Sequence, residues 1–225
     1  MIERIAIGGA EVYLRRVMTE EDAGRTAAAV LDPPAALREA CWHVADDLST
    51  IGAPLYRNRH RPDYYAERAR ATNRMLYDAY RDLYERVAAV FEDRYRMPVA
   101  FVDELAIPGF HVMRYDEPGW HEGGGWHVDR LAWQVPYFAD RAAEVDGIVN
   151  FTLPLVVPSG GTGMDIENNQ HEPPLYVPYT PGVMLFNECE VQHRIGSSTT
   201  HHPYELRLTL QGHGVLFRGK LLLFW

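Results

Sequence analysis

The feature that most constrains the fold is a change in hydrophobic periodicity near residue 98. Before it, the segments PPAALREACWHVADDLSTI and DYYAERARATNRMLYDAYRDLYERVAAVFEDRY place apolar and aromatic side chains three and four residues apart, which is the period of an amphipathic helix. One stripe comprises Tyr77, Tyr80, Leu83, Tyr84, Val87 and Val90. This region therefore predicts helices that each bury one face.

After Met97-Pro98 the pattern shortens to VAFVD, GFHVMRY, GIVNFTLPLVV, PLYVPY, GVMLF and ELRLTLQGHGVLF, separated by Pro and Gly. Many short strands at such spacing are typical of a β-sandwich or barrel. We therefore predict an α+β fold with a jelly-roll core over residues 98–225. A mainly helical buttress with a short N-terminal strand, residues 1–97, is expected to pack on one face. Because no internal repeat or linker is visible, residues 1–225 are expected to form a single domain.

Composition excludes several classes of partner. The chain has 31 acidic and 22 basic residues and a net charge of -9, which opposes binding to nucleic acids and anionic membranes. The sequence lacks a membrane-spanning apolar run and a signal-peptide pattern, and Cys41 and Cys189 suit free thiols in a reducing compartment. We expect a cytoplasmic protein without nucleic-acid or membrane partners, and the sequence carries no signal for an oligomeric state.

The stretch GGGWHVDRLAW places His127 and Asp129 two residues apart. Residues i and i+2 of a strand point to the same side, so the imidazole and the carboxylate can share one ion. A third ligand, His193, follows an apolar strand 64 residues after Asp129. Two histidines and one carboxylate that leave positions open are typical of non-haem Fe(II) sites. The alternative, polar residues at the rim of a sheet, does not account for the ordered strands around them.

A metal site that binds a 2-oxo acid also needs a cation for the acid's far carboxylate. The strand ELRLTLQGHG supplies one, because Arg207 lies 14 residues after His193. Three leucines alternate there with Arg207, Thr209 and Gln211, so one face suits the core while the other aims a guanidinium and a hydroxyl at one anion. The alternative is a solvated strand face that carries a surface salt bridge. The spacing from His193 favours the anion site.

The ordered set His127-Val-Asp129, His193 and Arg207-x-Thr209 resembles the iron triad and co-substrate anchor of the Fe(II)/2-oxoglutarate-dependent dioxygenases. The stretches HVMRYDEPG and PSGGTGM are similar to the tyrosine-bearing strand and the Gly-Gly-x-Thr turn of the prolyl-hydroxylase-like branch, although this turn lacks the usual intervening acidic residue. The resemblance covers roughly residues 109 to 212. It implies a double-stranded β-helix, the cupin-like form of the jelly roll.

The resemblance also implies Fe(II), 2-oxoglutarate and O2 as cofactor and co-substrates. In such enzymes 2-oxoglutarate chelates the iron through its 1-carboxylate and 2-oxo group, and Arg207 and Thr209 would hold its 5-carboxylate. Decarboxylation to succinate accompanies hydroxylation of a substrate carbon. Asp129 stands where halogenating relatives have a small residue, which favours hydroxylation, although desaturation, ring formation and demethylation need the same residues.

Further residues are candidates for contacts with the ligands. Tyr115 and Asn150 are predicted to contact 2-oxoglutarate, with a buried, satisfied polar side chain as the alternative for each. Trp126, Arg130 and Trp133 lie beside the triad in sequence and are predicted substrate contacts, with packing as the alternative.

Other polar residues near the triad are interpreted as solvated. Adjacent histidines on a strand point apart, so His201 and His202 are assigned to an exposed loop. Glu188 and Glu190 come from the same segment as His193 and are also assigned to the surface.

These observations predict an oxygenase that hydroxylates a small molecule, such as an amino acid or a natural-product intermediate. Two alternatives are open at this point: a hydroxylase of peptide or protein side chains, and a non-catalytic metal-binding module that senses a ligand on the same fold.

Overall fold

The computed structural model describes residues 2–7, 10–44, 48–58, 60–129, 135–167, 173–188 and 191–225. Its helices are α1 (Glu20–Leu31), α2 (Ala35–Cys41), α3 (Leu55–Asn58), α4 (Pro62–Ala79), α5 (Arg81–Tyr95) and α6 (Pro136–Ala139). Its strands are β1 (Ile2–Ile7), β2 (Ala10–Arg16), β3 (Trp42–His43), β4 (Ser49–Ile51), β5 (Val99–Ala100), β6 (Gly109–Tyr115), β7 (Gly119–His121), β8 (Val145–Val156), β9 (Gly163–Ile166), β10 (Leu175–Pro178), β11 (Val183–Asn187), β12 (His193–Ile195), β13 (Ser198–Thr200), β14 (Glu205–Phe217) and β15 (Lys220–Phe224).

The strands form two layers. Within the described ranges, ten strands make one large sheet with the order β1-β2-β11-β8-β14-β6-β4-β3, and β15 adds to β14 and pairs with β5. The opposite layer consists of the sheet β10-β9-β12 and the pair β13-β7. Apolar side chains join β10-β9-β12 to the large sheet, among them Val12, Met164, Ile166, Val177 and Leu185.

The helices cover the other face of the large sheet. Leu208 and Leu210 of β14 are fully buried in the same apolar cluster as residues of α1, α2, α4 and α5. Arg207 and Thr209, which alternate with these leucines, therefore point toward the space between the two layers. This arrangement confirms the predicted α+β fold with helices packed on one face of a jelly roll.

The apolar stripe of the helical region is buried as predicted, but it runs through two helices. α4 ends at Ala79 and α5 begins at Arg81, with Tyr80 between them in a non-helical conformation. Tyr80, Leu83 and Tyr84 are buried in the core cluster, and Tyr77 packs against its edge. The stripe continues across the break because both helices face the same sheet.

The N-terminal region contributes more strands than the single short strand predicted. β1 and β2 form a hairpin, β2 pairs with β11, and β4 pairs with β6. The prediction was wrong here because strands of three to seven residues carry too few alternations to stand out beside long helical segments. Residues before Met97 therefore complete both edges of the large sheet.

Trp225 packs against the large sheet at the start of β6. Its backbone N–H donates to the Ala106 carbonyl, and its ring is fully buried beside Gly52 and Gly109. A Cβ added at Gly109 would lie 2.1 Å from this ring. Glycine at position 109 is thus what allows the indole to lie flat against β6.

None of the helices in the described part of the chain is long and apolar enough to cross a membrane. The predicted cytoplasmic location stays a prediction.

Candidate metal centre

The backbone brings the two predicted histidine ligands together. His127 lies in the segment after β7, and His193 is the first residue of β12. Each donates its backbone N–H to the carbonyl of the other at 2.9 Å, and their ring centroids lie 4.5 Å apart. The two residues thus form an isolated antiparallel β-bridge, with the same two hydrogen bonds as a hydrogen-bonded pair in an antiparallel sheet.

Asp129 completes the cluster. Its carboxylate oxygens lie 3.3 Å from Nε2 of His193 and 3.9 Å from Nε2 of His127. One ligand atom from each of the three residues lies within 4.8 Å of the others. Asp129 follows the bridge outside any regular strand, so the strand alternation expected from the sequence does not extend to its carboxylate.

The imidazoles are oriented by hydrogen bonds on the side away from the cluster. Nδ1 of His127 donates to the Gly125 carbonyl at 2.8 Å, and Nδ1 of His193 donates to the Val191 carbonyl at 2.8 Å. A neutral histidine that donates from Nδ1 presents a lone pair at Nε2. Both rings therefore turn Nε2 toward Asp129, where each can bind a cation in its neutral form, and such backbone partners hold ligating histidines in place.

The electrostatics of the cluster keep the carboxylate ionised. Burial alone would raise the pKa of Asp129, but the hydrogen bond to His193 and nearby imidazoles outweigh it and hold this pKa well below its usual range. Burial lowers the pKa of His193, yet the interaction with Asp129 raises it overall. An anionic oxygen beside two nitrogen donors is a set that suits a divalent transition metal such as Fe(II).

A cavity of about 390 Å³ opens beside the cluster. The metal-site residues line one side of it, and inner-face residues of the large sheet line the other. A cavity of this size and position between two layers is typical of small-molecule sites.

Arg207 and Thr209 lie on the inner face, as the alternation predicted. Arg207 is 1% exposed and Thr209 is fully buried. Nη1 of Arg207 donates to Sδ of Met113 at 3.2 Å, whereas Arg207 Nε, Arg207 Nη2 and Thr209 Oγ1 have no hydrogen-bond partner among the described residues. Buried polar groups in proteins are normally paired, so these three atoms indicate a site for an acceptor-rich ligand.

The structure adds three residues to this corner that sequence reasoning missed. His111 lies opposite both Thr50 and Thr209 in the ladders β4-β6-β14, and the ring of Tyr179 lies 5.4 Å from the Arg207 guanidinium carbon. Thr50 Oγ1 and His111 Nδ1 are also buried without a partner in the described part of the molecule. The alternation of β6 placed His111 on the same face as Tyr115 and could have identified it. Thr50 and Tyr179 gave no comparable signal.

The two further candidates for co-substrate contacts, Tyr115 and Asn150, lie on β6 and β8 of the large sheet. The Tyr115 hydroxyl is paired with Ser198 Oγ at 2.7 Å, and Tyr115 does not line the cavity. Asn150 does line the cavity, but it lies opposite His213, four positions and about 13 Å along β14 from Thr209. The predicted contacts of these two side chains with 2-oxoglutarate stay predictions.

The predicted substrate contacts are also not supported by position. Trp126 is 37% exposed and lies under the guanidinium of Arg194, 4.8 Å from ring centre to carbon. Arg194 is paired with Asp165 on the outer face of β9 and β12, whereas its neighbour His193 points inward. Trp126 therefore lies outside the cavity. Arg130 and Trp133 fall outside the described residues.

The two histidines assigned to the surface behave as expected. His201 and His202 are exposed, and their backbone N–H groups donate to Glu205. Glu188 differs from the expectation, because it is half-buried and accepts hydrogen bonds from Arg94 and Tyr95; Glu190 lies outside the described residues.

No protein-family model matches the chain, and no curated protein matches it. Among solved structures, it is similar to an N-substituted L-amino acid dioxygenase from Burkholderia ambifaria AMMD in complex with α-ketoglutarate, with 12% identity over 80% of this chain and 86% of that chain and a TM-score of 0.50. An oxidoreductase of the 2OG-Fe(II) oxygenase family from Burkholderia pseudomallei matches with 13% identity over 89% and 83% and a TM-score of 0.47. A Pseudomonas putida prolyl-4-hydroxylase matches with 16% identity over 95% of both chains and a TM-score of 0.40. The first of these comparisons identifies the architecture: the chain shares the fold of that dioxygenase, a double-stranded β-helix.

Proposed function

We propose that this protein is a non-haem Fe(II)/2-oxoglutarate-dependent oxygenase that hydroxylates a small molecule. The observation that carries the proposal is the presence of two features on the inner side of the large sheet: the first lines the cavity, and the second lies beside His111 and Tyr179, which also line it. One is the cluster of His127, Asp129 and His193, and the other is the buried guanidinium of Arg207 with two unpaired nitrogens.

The cluster fits an Fe(II) ion as its resident metal. His127, Asp129 and His193 would bind it through two neutral imidazole nitrogens and one carboxylate, leaving positions for other ligands. When bound, the iron supplies the activation of O2 that the side chains of the protein cannot perform. The protein's own part is to hold the imidazoles through the carbonyls of Gly125 and Val191.

The buried corner fits the far carboxylate of 2-oxoglutarate. A guanidinium donates two parallel hydrogen bonds to a carboxylate, and Arg207 has Nε and Nη2 available in a water-poor site. The hydroxyl of Thr209 lies on the same face and can donate a third. Burial of a cation without a partner destabilises the folded protein, so an anion that binds here removes that free-energy cost.

The inner walls can position a substrate and keep water from it. The described residues around the cavity combine apolar side chains, including Leu48, Leu185 and Trp225, with uncharged polar ones. A concave site with such a lining supports a small molecule over a protein side chain, which would need an extended groove. Hydroxylation is proposed over halogenation because Asp129 stands where halogenating relatives have a small residue; desaturation, ring formation and demethylation would use the same residues.

The decisive experiment is an anaerobic titration of 2-oxoglutarate into protein loaded with Fe(II). We expect a weak visible absorption band to saturate with one iron and one 2-oxoglutarate per chain, and succinate to form once O2 is admitted. A band without succinate, tested against a broad panel of small molecules and peptides, would favour the sensing module. Absence of the band would refute the proposal.

A further inference from the structure

A row of uncharged polar side chains crosses the inner face of the large sheet away from Arg207. His213 of β14 lies opposite Asn150 of β8, and Asn150 lies opposite Asn187 of β11. All three line the cavity. Side chains directly opposite each other on neighbouring strands are about 5 Å apart at Cβ, so one ligand group can touch two of them.

The hydrogen bonds within this row leave a donor beside an acceptor. Nδ1 of His213 lies 2.7 Å from Oδ1 of Asn150, and because a carboxamide oxygen only accepts, Nδ1 carries the proton. The Asn150 amide nitrogen is left as a donor. Its neighbour Asn187 is 2% exposed, and its Oδ1 has no hydrogen-bond partner among the described residues. An unpaired, buried acceptor in a cavity wall requires a donor from a ligand.

The charge of the cavity restricts what that ligand can be. Of the described residues that line the cavity, Asp129 is the only one with an Asp, Glu, Lys or Arg side chain, and it belongs to the metal cluster. Gln211 adds another carboxamide one row away, opposite Thr152. A wall of carboxamides offers no counter-charge to a carboxylate or an ammonium group, whose desolvation would then be uncompensated.

We propose that Asn150 and Asn187 form a substrate subsite for a neutral carboxamide. The carbonyl of the ligand accepts from Asn150 Nδ2, and its N–H donates to Asn187 Oδ1. This inference rests on the proposed function, because it assigns this end of the cavity to the substrate and the Arg207 end to the co-substrate.

Binding of small aromatic probes to the metal-free protein tests the subsite directly. Benzamide has both a donor and an acceptor, acetophenone has nearly the same shape but only the acceptor, and benzoate is charged. Dissociation constants would be measured by ligand-observed NMR without iron or 2-oxoglutarate. We expect benzamide to bind about tenfold more tightly than acetophenone, the effect of leaving one buried acceptor unpaired, and benzoate to bind more weakly than benzamide.

Variants of Asn187 test whether this side chain causes the preference for benzamide over acetophenone. Asn187→Leu should bind benzamide and acetophenone equally, while the matched change Asn58→Leu should keep the wild-type preference, because Asn58 donates to the Pro54 carbonyl and does not line the cavity. Asn187→Asp keeps the size of the side chain, and it should bind the cation benzamidine more tightly than benzamide.

The outcomes separate this inference from the proposed function. Equal binding of benzamide and acetophenone to wild type, tighter binding of benzoate, no binding of benzamide at millimolar concentration, or an unchanged preference in Asn187→Leu would each overturn the subsite. Because the probes bind without iron, these results do not depend on the titration with 2-oxoglutarate. Failure of that titration alone would remove the oxygenase and leave a carboxamide-binding cavity.

Discussion

His127 and His193 exchange both of their backbone hydrogen bonds, each at 2.9 Å. This single bridge ties the segment after β7 to β12 and fixes the separation of the two imidazoles by backbone geometry. Asp129 reaches the same point through its side chain, held 3.3 Å from His193. The backbone bridge thus brings the two histidines together, and their Nδ1 hydrogen bonds orient the rings.

The first prediction concerns metal binding. His193→Ala removes a nitrogen ligand from a set of three, so Fe(II) affinity should fall at least tenfold. Metal content after anaerobic dialysis measures this. His201→Ala, at an exposed position away from the cluster, should retain one iron per chain. Full iron content in His193→Ala would show that the cluster is not the metal site.

The second prediction concerns the buried cation. Arg207→Met removes a guanidinium that has unpaired nitrogens in the free protein, so without 2-oxoglutarate its melting temperature should equal or exceed that of wild type. The stabilisation that 2-oxoglutarate gives the metal-loaded wild type should be lost, since binding weakens by about 2 to 5 kcal/mol. Differential scanning fluorimetry measures both effects.

Two milder variants refine this test. Arg207→Lys keeps a charge but cannot donate two parallel bonds, so its 2-oxoglutarate affinity should fall between wild type and Arg207→Met. Thr209→Val should cost about 1 kcal/mol of binding. Wild-type affinity in Arg207→Met would contradict the assignment of the carboxylate site.

The third prediction concerns the packing of Trp225. In Gly109→Ala the new Cβ would lie 2.1 Å from the Trp225 ring and 2.6 Å from the Ile51 carbonyl oxygen. Backbone cannot yield as a flexible side chain does, so we expect the free energy of unfolding to fall by about 1 to 3 kcal/mol. Gly24→Ala in α1 has no atom within 4 Å of the new Cβ and should stabilise by about 0.5 to 1 kcal/mol. Urea denaturation compares them, and equal stability would refute the close contact.

The fourth prediction concerns the helix-sheet core. Leu83 is 3% exposed within the main apolar cluster, so Leu83→Ala should destabilise by roughly 2 to 5 kcal/mol through lost burial and a cavity. Iron affinity of the folded protein should not change. Val44→Ala, at a side chain that is 78% exposed, serves as the control and should alter stability by less than about 0.5 kcal/mol.

The fifth prediction concerns pH. Burial, followed by the positive charges of Arg207 and Arg57, lowers the pKa of His111 to about 3 from its ordinary value of 6.5. The folded state thus keeps His111 neutral while the unfolded state takes up a proton, so stability is full above pH 6.5 and falls as pH decreases toward 3. One such group contributes a slope of roughly 1.4 kcal/mol per pH unit.

His111→Gln isolates this contribution. The free energy of unfolding is measured without metal or 2-oxoglutarate. Between pH 6 and pH 4 it should fall less steeply in the variant than in wild type, and the two slopes should differ by up to roughly 1.4 kcal/mol per pH unit. Parallel curves for the two proteins would mean that His111 is protonated in the folded state or exposed.

Local patterns in the sequence determined much of this protein. The helical stripe around Leu83 predicted a buried face, and the alternation around Arg207 predicted a polar face opposite the leucines. Both predictions are possible because side-chain direction follows from a period of 3.6 or 2 residues. The type and order of His127, Asp129 and His193 likewise predicted a candidate metal site, because the ligand chemistry belongs to the side chains themselves.

The tertiary structure alone decided which polar groups meet. Sheet register placed Thr50 and His111 in one row with Thr209, and strand pairing brought Ser198 within hydrogen-bonding distance of Tyr115. Arg194 similarly placed Trp126 on the outer face. A side chain's partner across a sheet depends on which distant strands pair and in which register, and these long-range choices are set by burial of the whole core rather than by residues nearby in sequence.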